Sequence, residues 1–288
     1  MKLYIIGNGF DLHFGLPTNI SDFVEILETK KTYDGYDAKS VFNGYGVNWG
    51  EYESSLSELE IDDIADDYIV YPKYSSGHES DRDWGITNIE YYLKYLNRAI
   101  IDSLVEMTAV ANSKLKDIIL SPEEQLLIEN DSTILNFNYT STVEYLYARN
   151  SYHIHGYLEK GNELIFGYKD VRRFQIENEL ESPREEDHDY YVDVQKEKMI
   201  EFYHSWKKEL RIKELQSFLK GIGTIQEVIV LGLSMSRVDE PYLETIEGIA
   251  KPNKWVIYVF DGNPSYRHYS FAHKVETREW PQRTVFQS

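Results

Sequence analysis

Apolar positions along this chain follow two rhythms. One is the short unbroken run that stops at glycine or at a polar cluster. Leu3-Tyr4-Ile5-Ile6 stops at Gly7, and Glu227-Val228-Ile229-Val230-Leu231 stops at Gly232. Runs without polar alternation suit strands covered on both faces, as in a parallel sheet. Trp255–Phe260, followed by Asp261, reads the same way. Ser132–Tyr139 reads as a strand that ends in polar residues, and Ser151–Tyr157 and Glu163–Tyr168 as two further short strands. The other rhythm is helical. It predicts helices at Ser21–Leu27, within 51–70, from about Asn88 to Leu120, from Thr142, within 198–220 and from Pro241. In the longest of these Leu93, Leu96, Ile100, Leu104 and Met107 share one face. Pro241 suits a first helical turn, where no N–H is needed. Residues 33–50 and 71–85 read as loops, and the charged stretch 170–197 as a solvated excursion.

Strands alternating with helices predict an α/β fold, a doubly wound, mainly parallel Rossmann-like sheet. The expected organisation is one α/β domain over 1–288, with 50–130 a largely helical insertion within it. In such sheets ligands gather at the carboxyl ends of strands, near a reversal of strand order. The polar and glycine-rich segments of this chain sit at those predicted ends.

Composition narrows the chemistry. The chain has 288 residues, 42% of them apolar, enough to bury a sizeable core. Acidic residues outnumber basic ones by 49 to 30, for a net charge of −19. That field favours solubility and opposes nucleic acid and anionic membrane. There is no cysteine, which excludes disulfides, thiolate catalysis and Cys-ligated zinc. The apolar run after Met1 is too short for a signal peptide, and no stretch has the length of a membrane-spanning helix, so a cytoplasmic location is expected.

Gly7-Asn8-Gly9 lets the backbone turn sharply and approach a ligand closely. A plain strand-to-loop turn accounts for it equally well, since the third glycine of the dinucleotide fingerprint is missing. Asp11 suits either a ligand contact or a helix cap. Asn136 and Asn138 suit a turn closing a strand, and Asn138 also suits a ligand, because an amide both donates and accepts. His153 and His155 lie two apart, on one face of a regular strand. They suit a proton step, a structural role or, with less support, a metal. Asp261 suits a ribose hydroxyl or a turn with Gly262 and Asn263.

The continuation Gly7-Asn8-Gly9-Phe10-Asp11-Leu12-His13-Phe14-Gly15-Leu16-Pro17-Thr18 resembles the opening signature of the AbiH family of phage-defence proteins. It is also similar to the sirtuin opening loop, which wraps the phosphates and ribose of NAD. Asn136-Phe137-Asn138-Tyr139-Thr140 resembles the Thr-x-Asn-Tyr-Asp segment of sirtuin-like NAD-cleaving proteins. Tyr152-His153-Ile154-His155-Gly156 resembles their His-Gly motif. Gly232-Leu233-Ser234-Met235-Ser236-Arg237-Val238-Asp239 looks like their Gly-x-Ser segment, lengthened by an AbiH-type Ser-x-x-Asp. Four blocks in order cover about 90 residues.

The resemblance implies a bacterial abortive-infection protein with a sirtuin-like nucleotide site. Gly7, Asn8, Gly9, Asp11, Gly232 and Ser234 would bind NAD or a related nucleotide, joined by Asp261 on the positional argument above. Asn138 would orient ribose or water, and His155 would be the base. Thr140 stands where sirtuins carry an aspartate, and Glu144 is the candidate to supply that ribose contact. The sirtuin zinc cysteines are missing, so NAD hydrolysis without metal is the implied activity rather than protein deacylation. Breaking a ribosyl–nicotinamide bond passes through an oxocarbenium-like state, as glycoside cleavage does. Histidine suits its proton step with an ordinary pKa of about 6.5. The alternative is a module that senses a nucleotide without turnover. Implied partners are the nucleotide itself and a phage or host protein trigger, with a homo-oligomer left open.

Overall fold

The computed structural model describes residues 1–49, 56–75, 77–158, 164–167, 173–184, 188–235, 239–259 and 266–281. In chain order the main elements are β1 (Lys2–Ile6), α1 (Asn8–His13), α2 (Ile20–Thr29), α3 (Ala38–Gly44), α4 (Ile61–Tyr68), α5 (Ser80–Lys114) and α6 (Pro122–Gln125). They continue with β2 (Ser132–Asn136), α7 (Thr142–Tyr147), β3 (Tyr152–His153), α8 (Gln175–Leu180), α9 (Tyr190–Ser205) and α10 (Ile212–Gly221). The last are β4 (Glu227–Leu231), α11 (Glu240–Ala250), β5 (Lys254–Val259) and β6 (Val275–Glu279). The chain divides into two compact units. Unit 1 comprises Met1–Asn19, Met107–Ile165 and Glu209–Ser288, and unit 2 comprises Ile20–Glu106 and Phe166–Lys208.

Unit 1 holds the whole sheet. Its six strands are all parallel, in the order β3-β2-β1-β4-β5-β6. That is the doubly wound order in which β1 and β4 flank the reversal. Alternate residues of the central strands β1, β4 and β5 feed opposite cores, which is why their sequences are mostly apolar. Leu3, Ile5, Val228, Val230, Trp255 and Ile257 pack with Leu215 and Leu219 of α10 and Leu243 and Ile246 of α11. Tyr4, Ile6, Ile229, Leu231 and Val256 pack with Phe10, Phe14, Val143 and Trp280 on the other face. Unit 2 is helical, with α2 to α4, most of α5, α8 and α9. A Rossmann-like sheet with a helical insertion is therefore the fold. Unit 2 draws on two stretches: the first overlaps the expected insertion at 50–130, and the second comes from the charged region.

Several elements differ from expectation. The β3 strand keeps only two residues, and Ile154 and His155 turn away from it. Residues 164–167 form no strand, and Ile165 makes a single backbone bond, to the carbonyl of His155. The charged region contains α8 and the start of α9, which Asp189 caps through the N–H groups of Tyr191 and Val192. Strand β6 was not anticipated. Its pattern Val275-Glu276-Thr277-Arg278-Glu279 is polar because it is an edge strand, largely exposed.

Candidate functional site

The predicted site residues lie in unit 1, on the loops that follow adjacent strands. Backbone pairing of β1 with β4 runs on past the strands. Gly7 donates to the carbonyl of Leu231 (2.9 Å) and Gly9 to that of Gly232 (2.7 Å). A Cβ on Gly7 would stand 2.6 Å from Leu233 Cα, and one on Gly9 2.8 Å from Gly232 Cα. Gly232 has φ +74°, and a Cβ there would meet the Phe10 nitrogen at 2.1 Å. Real side chains do not come so close, and L-residues avoid that φ. The three glycines are thus demanded by two backbones pressed together at the strand-order reversal, with or without a ligand. Short helix α1 follows directly. Asn8 is exposed, and its amide donates to the carbonyl of Thr18 (2.8 Å). Thr18 Oγ1 is a buried hydroxyl without a hydrogen-bond partner. Ser234 is exposed just beyond Gly232. Asp261 lies outside the described residues.

The loop after β2 is tied to the loop after β1 by side chains. Asn138 Nδ2 donates to the carbonyl of Gly7 (3.0 Å), and its backbone N–H is held by Asn136 Oδ1 (2.9 Å). Asp11 is 1% exposed. Its Oδ2 accepts from the Thr140 hydroxyl and its Oδ1 from that of Thr142, both at 2.6 Å. Burial pushes the Asp11 carboxyl up to about 6, although these hydrogen bonds and the charge of His153 pull the other way. Both oxygens are engaged inside the protein, so Asp11 acts through Thr140 and Thr142. Thr140 thus has a carboxylate beside it in space.

The two histidines have different surroundings. His153, with its side chain 3% exposed, directs Nδ1 to the carbonyl of Asn138 (2.8 Å), and a carbonyl can only accept. Its Nε2 lies 3.1 Å from Glu144 Oε1 and 3.1 Å from Ser151 Oγ, and its ring stacks on Tyr157. Ser151 donates to the same Glu144 oxygen at 2.5 Å. Burial pushes the Glu144 carboxyl up, but the bonds from His153 and Ser151 outweigh it and hold it below its ordinary value. Glu144 Oε2 is buried without a hydrogen-bond partner. His155 is 5% exposed, set edge-on to Phe137 (5.1 Å) and to Tyr242 (5.5 Å). The shared strand face expected of the two histidines does not exist, because the strand ends at His153.

A second buried pair lies on α1 and was not anticipated. His13 Nε2 meets Glu124 Oε1 at 3.0 Å, and Trp280 stacks on the imidazole. The other oxygen of Glu124 caps α6 through Ser121 N–H. The Ser121-Pro122-Glu123-Glu124 capping box was the available signal. Among the described residues, no three His, Asp or Glu side chains are grouped as a metal would need, and no helix is long and apolar enough to cross a membrane.

The 3-2-1-4-5-6 parallel order, with a buried polar network at the carboxyl ends of β1 to β3, defines a doubly wound α/β protein of the Rossmann class. Residues 3–259 match the family model described as bacteriophage abortive infection AbiH, and the chain belongs to that family. Its role is accordingly in abortive infection by bacteriophage. No curated protein and no solved structure matches it.

Proposed function

We propose that the loops after β1, β2, β3 and β4 form a nucleotide site, sirtuin-like in its motifs, and that the protein hydrolyses NAD or a related nucleotide there during phage defence. Asn138 orients ribose or water, and His155 serves as the base. Asn8, Ser234 and the backbone of the Gly7–Gly9 loop contact the nucleotide, with Asp261 a further candidate. The observation that carries this reading is the fixing of Asn138. Its amide donates to the Gly7 carbonyl, and its backbone N–H is held by Asn136, beside the strand-order reversal, where doubly wound sheets bind their ligands. Such second-layer support suits a residue that must hold a reacting group still. Two buried oxygens without partners among the described residues, Thr18 Oγ1 after α1 and Glu144 Oε2 in the first turn of α7, suit ligand hydroxyls.

A second reading is a nucleotide sensor without turnover. The closure of His155 between Phe137 and Tyr242 favours it, since a base must reach its proton. One experiment separates the two. Purified protein is incubated with NAD, products are followed by chromatography, and binding is measured by calorimetry. Hydrolysis is expected to release nicotinamide, with a loss of at least a hundredfold in His155→Ala and Asn138→Ala. Binding without product supports the sensor. Neither binding nor product removes the nucleotide site.

A further inference from the structure

Unit 2 carries most of the charge of the chain. It holds 30 of the 49 acidic residues against 15 of the 30 basic ones, so −15 of the net −19 resides there. It also carries the four most exposed aromatic side chains among the described residues: Tyr71 is 74% exposed, Tyr190 70%, Tyr36 65% and Tyr74 61%. Scattered exposed aromatics need no explanation, but Tyr74 and Tyr190 both rest against the ring of Tyr191.

The chain between α4 and α5 is anchored by a buried amide. Gln195 of α9 is fully buried, and its side chain makes both backbone bonds to Val70, accepting from the N–H (2.9 Å) and donating to the carbonyl (3.0 Å). Gly85 of α5 leaves room for this clamp. A Cβ there would stand 2.9 Å from Gln195 Nε2 and 3.0 Å from the Val70 carbonyl. Four residues on, the Tyr74 hydroxyl donates to Asp189 Oδ2 at 2.5 Å. The Tyr74 ring meets Tyr191 edge-on, and Tyr191 in turn meets Tyr190. Thus Tyr74 is fixed through its hydroxyl and its ring, and Tyr71 follows directly on the anchored Val70, both exposed. Exposed acids Glu79, Asp81 and Asp83 follow along the chain, with Lys73 and Arg82 as the basic neighbours.

We propose that Tyr71, Tyr74 and Tyr190, with the acids around them, form a docking surface for an arginine-rich segment of a partner protein. Guanidinium planes stack on exposed tyrosine faces and pair with carboxylates. The Tyr74 ring, fixed beforehand, loses little freedom when covered. A second copy of this chain would bring −15 against −15, and nucleic acid would be repelled likewise. The charge therefore selects a cationic occupant, and the rings select arginine over lysine. This surface does not depend on the nucleotide reading.

The test is fluorescence anisotropy of labelled nona-arginine and nona-lysine with the full chain at physiological ionic strength. Nona-arginine is expected to bind several-fold more tightly. The triple variant Tyr71→Ser, Tyr74→Ser and Tyr190→Ser should weaken it about tenfold while leaving nona-lysine within about twofold. Tyr190→Ser alone, which cuts no anchor, should weaken nona-arginine about two- to threefold. Tyr36→Ser, at another exposed ring of unit 2, should change neither. Equal binding of both peptides, unaffected by the tyrosine variants, would reduce the effect to bulk charge and overturn the proposal. So would self-association of the protein that the triple variant abolishes.

Discussion

The two sides of the sheet's carboxyl end are held together in opposite ways. Between β1 and β4, glycine backbones interlock and side chains contribute little. Between β1 and β2–β3, backbone pairing ends at Phe137 and Ile154, and buried polar side chains join the segments beyond: Thr140 and Thr142 to Asp11, Asn138 to Gly7, and His153 to Asn138 and Glu144. The first join is a matter of shape and is insensitive to pH. The second is a matter of hydrogen bonds among ionisable groups and carries a pH dependence.

The sharpest way to break the contrast is at Gly232. Gly232→Ala combines a φ of +74° with a contact at 2.1 Å to backbone that cannot yield. A loss of about 3 kcal/mol or more is expected, the same at every pH, seen as a large fall in melting temperature by circular dichroism.

The other join responds to protons. The folded-state pKa of Asp11, about 6, lies above the ordinary carboxylate value, so folding favours its neutral form. Its contribution to stability is complete below about pH 4 and is lost as pH rises through about 6. Urea unfolding should show this group adding about 1 kcal/mol at pH 5 relative to pH 7. Asp11→Asn should remove that slope and be no less stable than the wild type at pH 7.

Glu144 has the opposite sign. Its folded-state pKa is lowered, so its contribution is present above the unfolded value and is lost as pH falls through the folded one. Glu144→Gln should cost about 1 kcal/mol at pH 7 and make the acid limb of unfolding shallower. The smallest effect is expected at exposed Ser234. Ser234→Ala should stay within about 0.5 kcal/mol of wild-type stability, so any weakening of nucleotide binding would report on the ligand itself.

Much of the fold was legible because its central strands are buried on both faces. Leu3–Ile6, Val228–Leu231 and Trp255–Val259 are apolar throughout and bounded by turn residues, a pattern few other elements imitate. Edge strands lack that constraint, which explains both the missed β6 and the overlong reading of β3. Helix α1 was hidden because it begins inside the glycine motif. At the site, the residues that cluster were recognisable by their motifs, but their roles were not. Asp11 suggested a ligand contact, and only the fold shows Thr140 and Thr142, some 130 positions away, occupying both of its oxygens. The pairing of His153 with Glu144 likewise depends on a strand too short to keep two histidines on one face.

The most direct test of the nucleotide site is hydrogen–deuterium exchange of the full chain with and without NAD. Slower exchange is expected in peptides covering residues 7–18, 137–142 and 232–235, and that protection should be lost in Asn138→Ala. Protection confined to peptides of unit 2, or none at saturating NAD, would contradict the account.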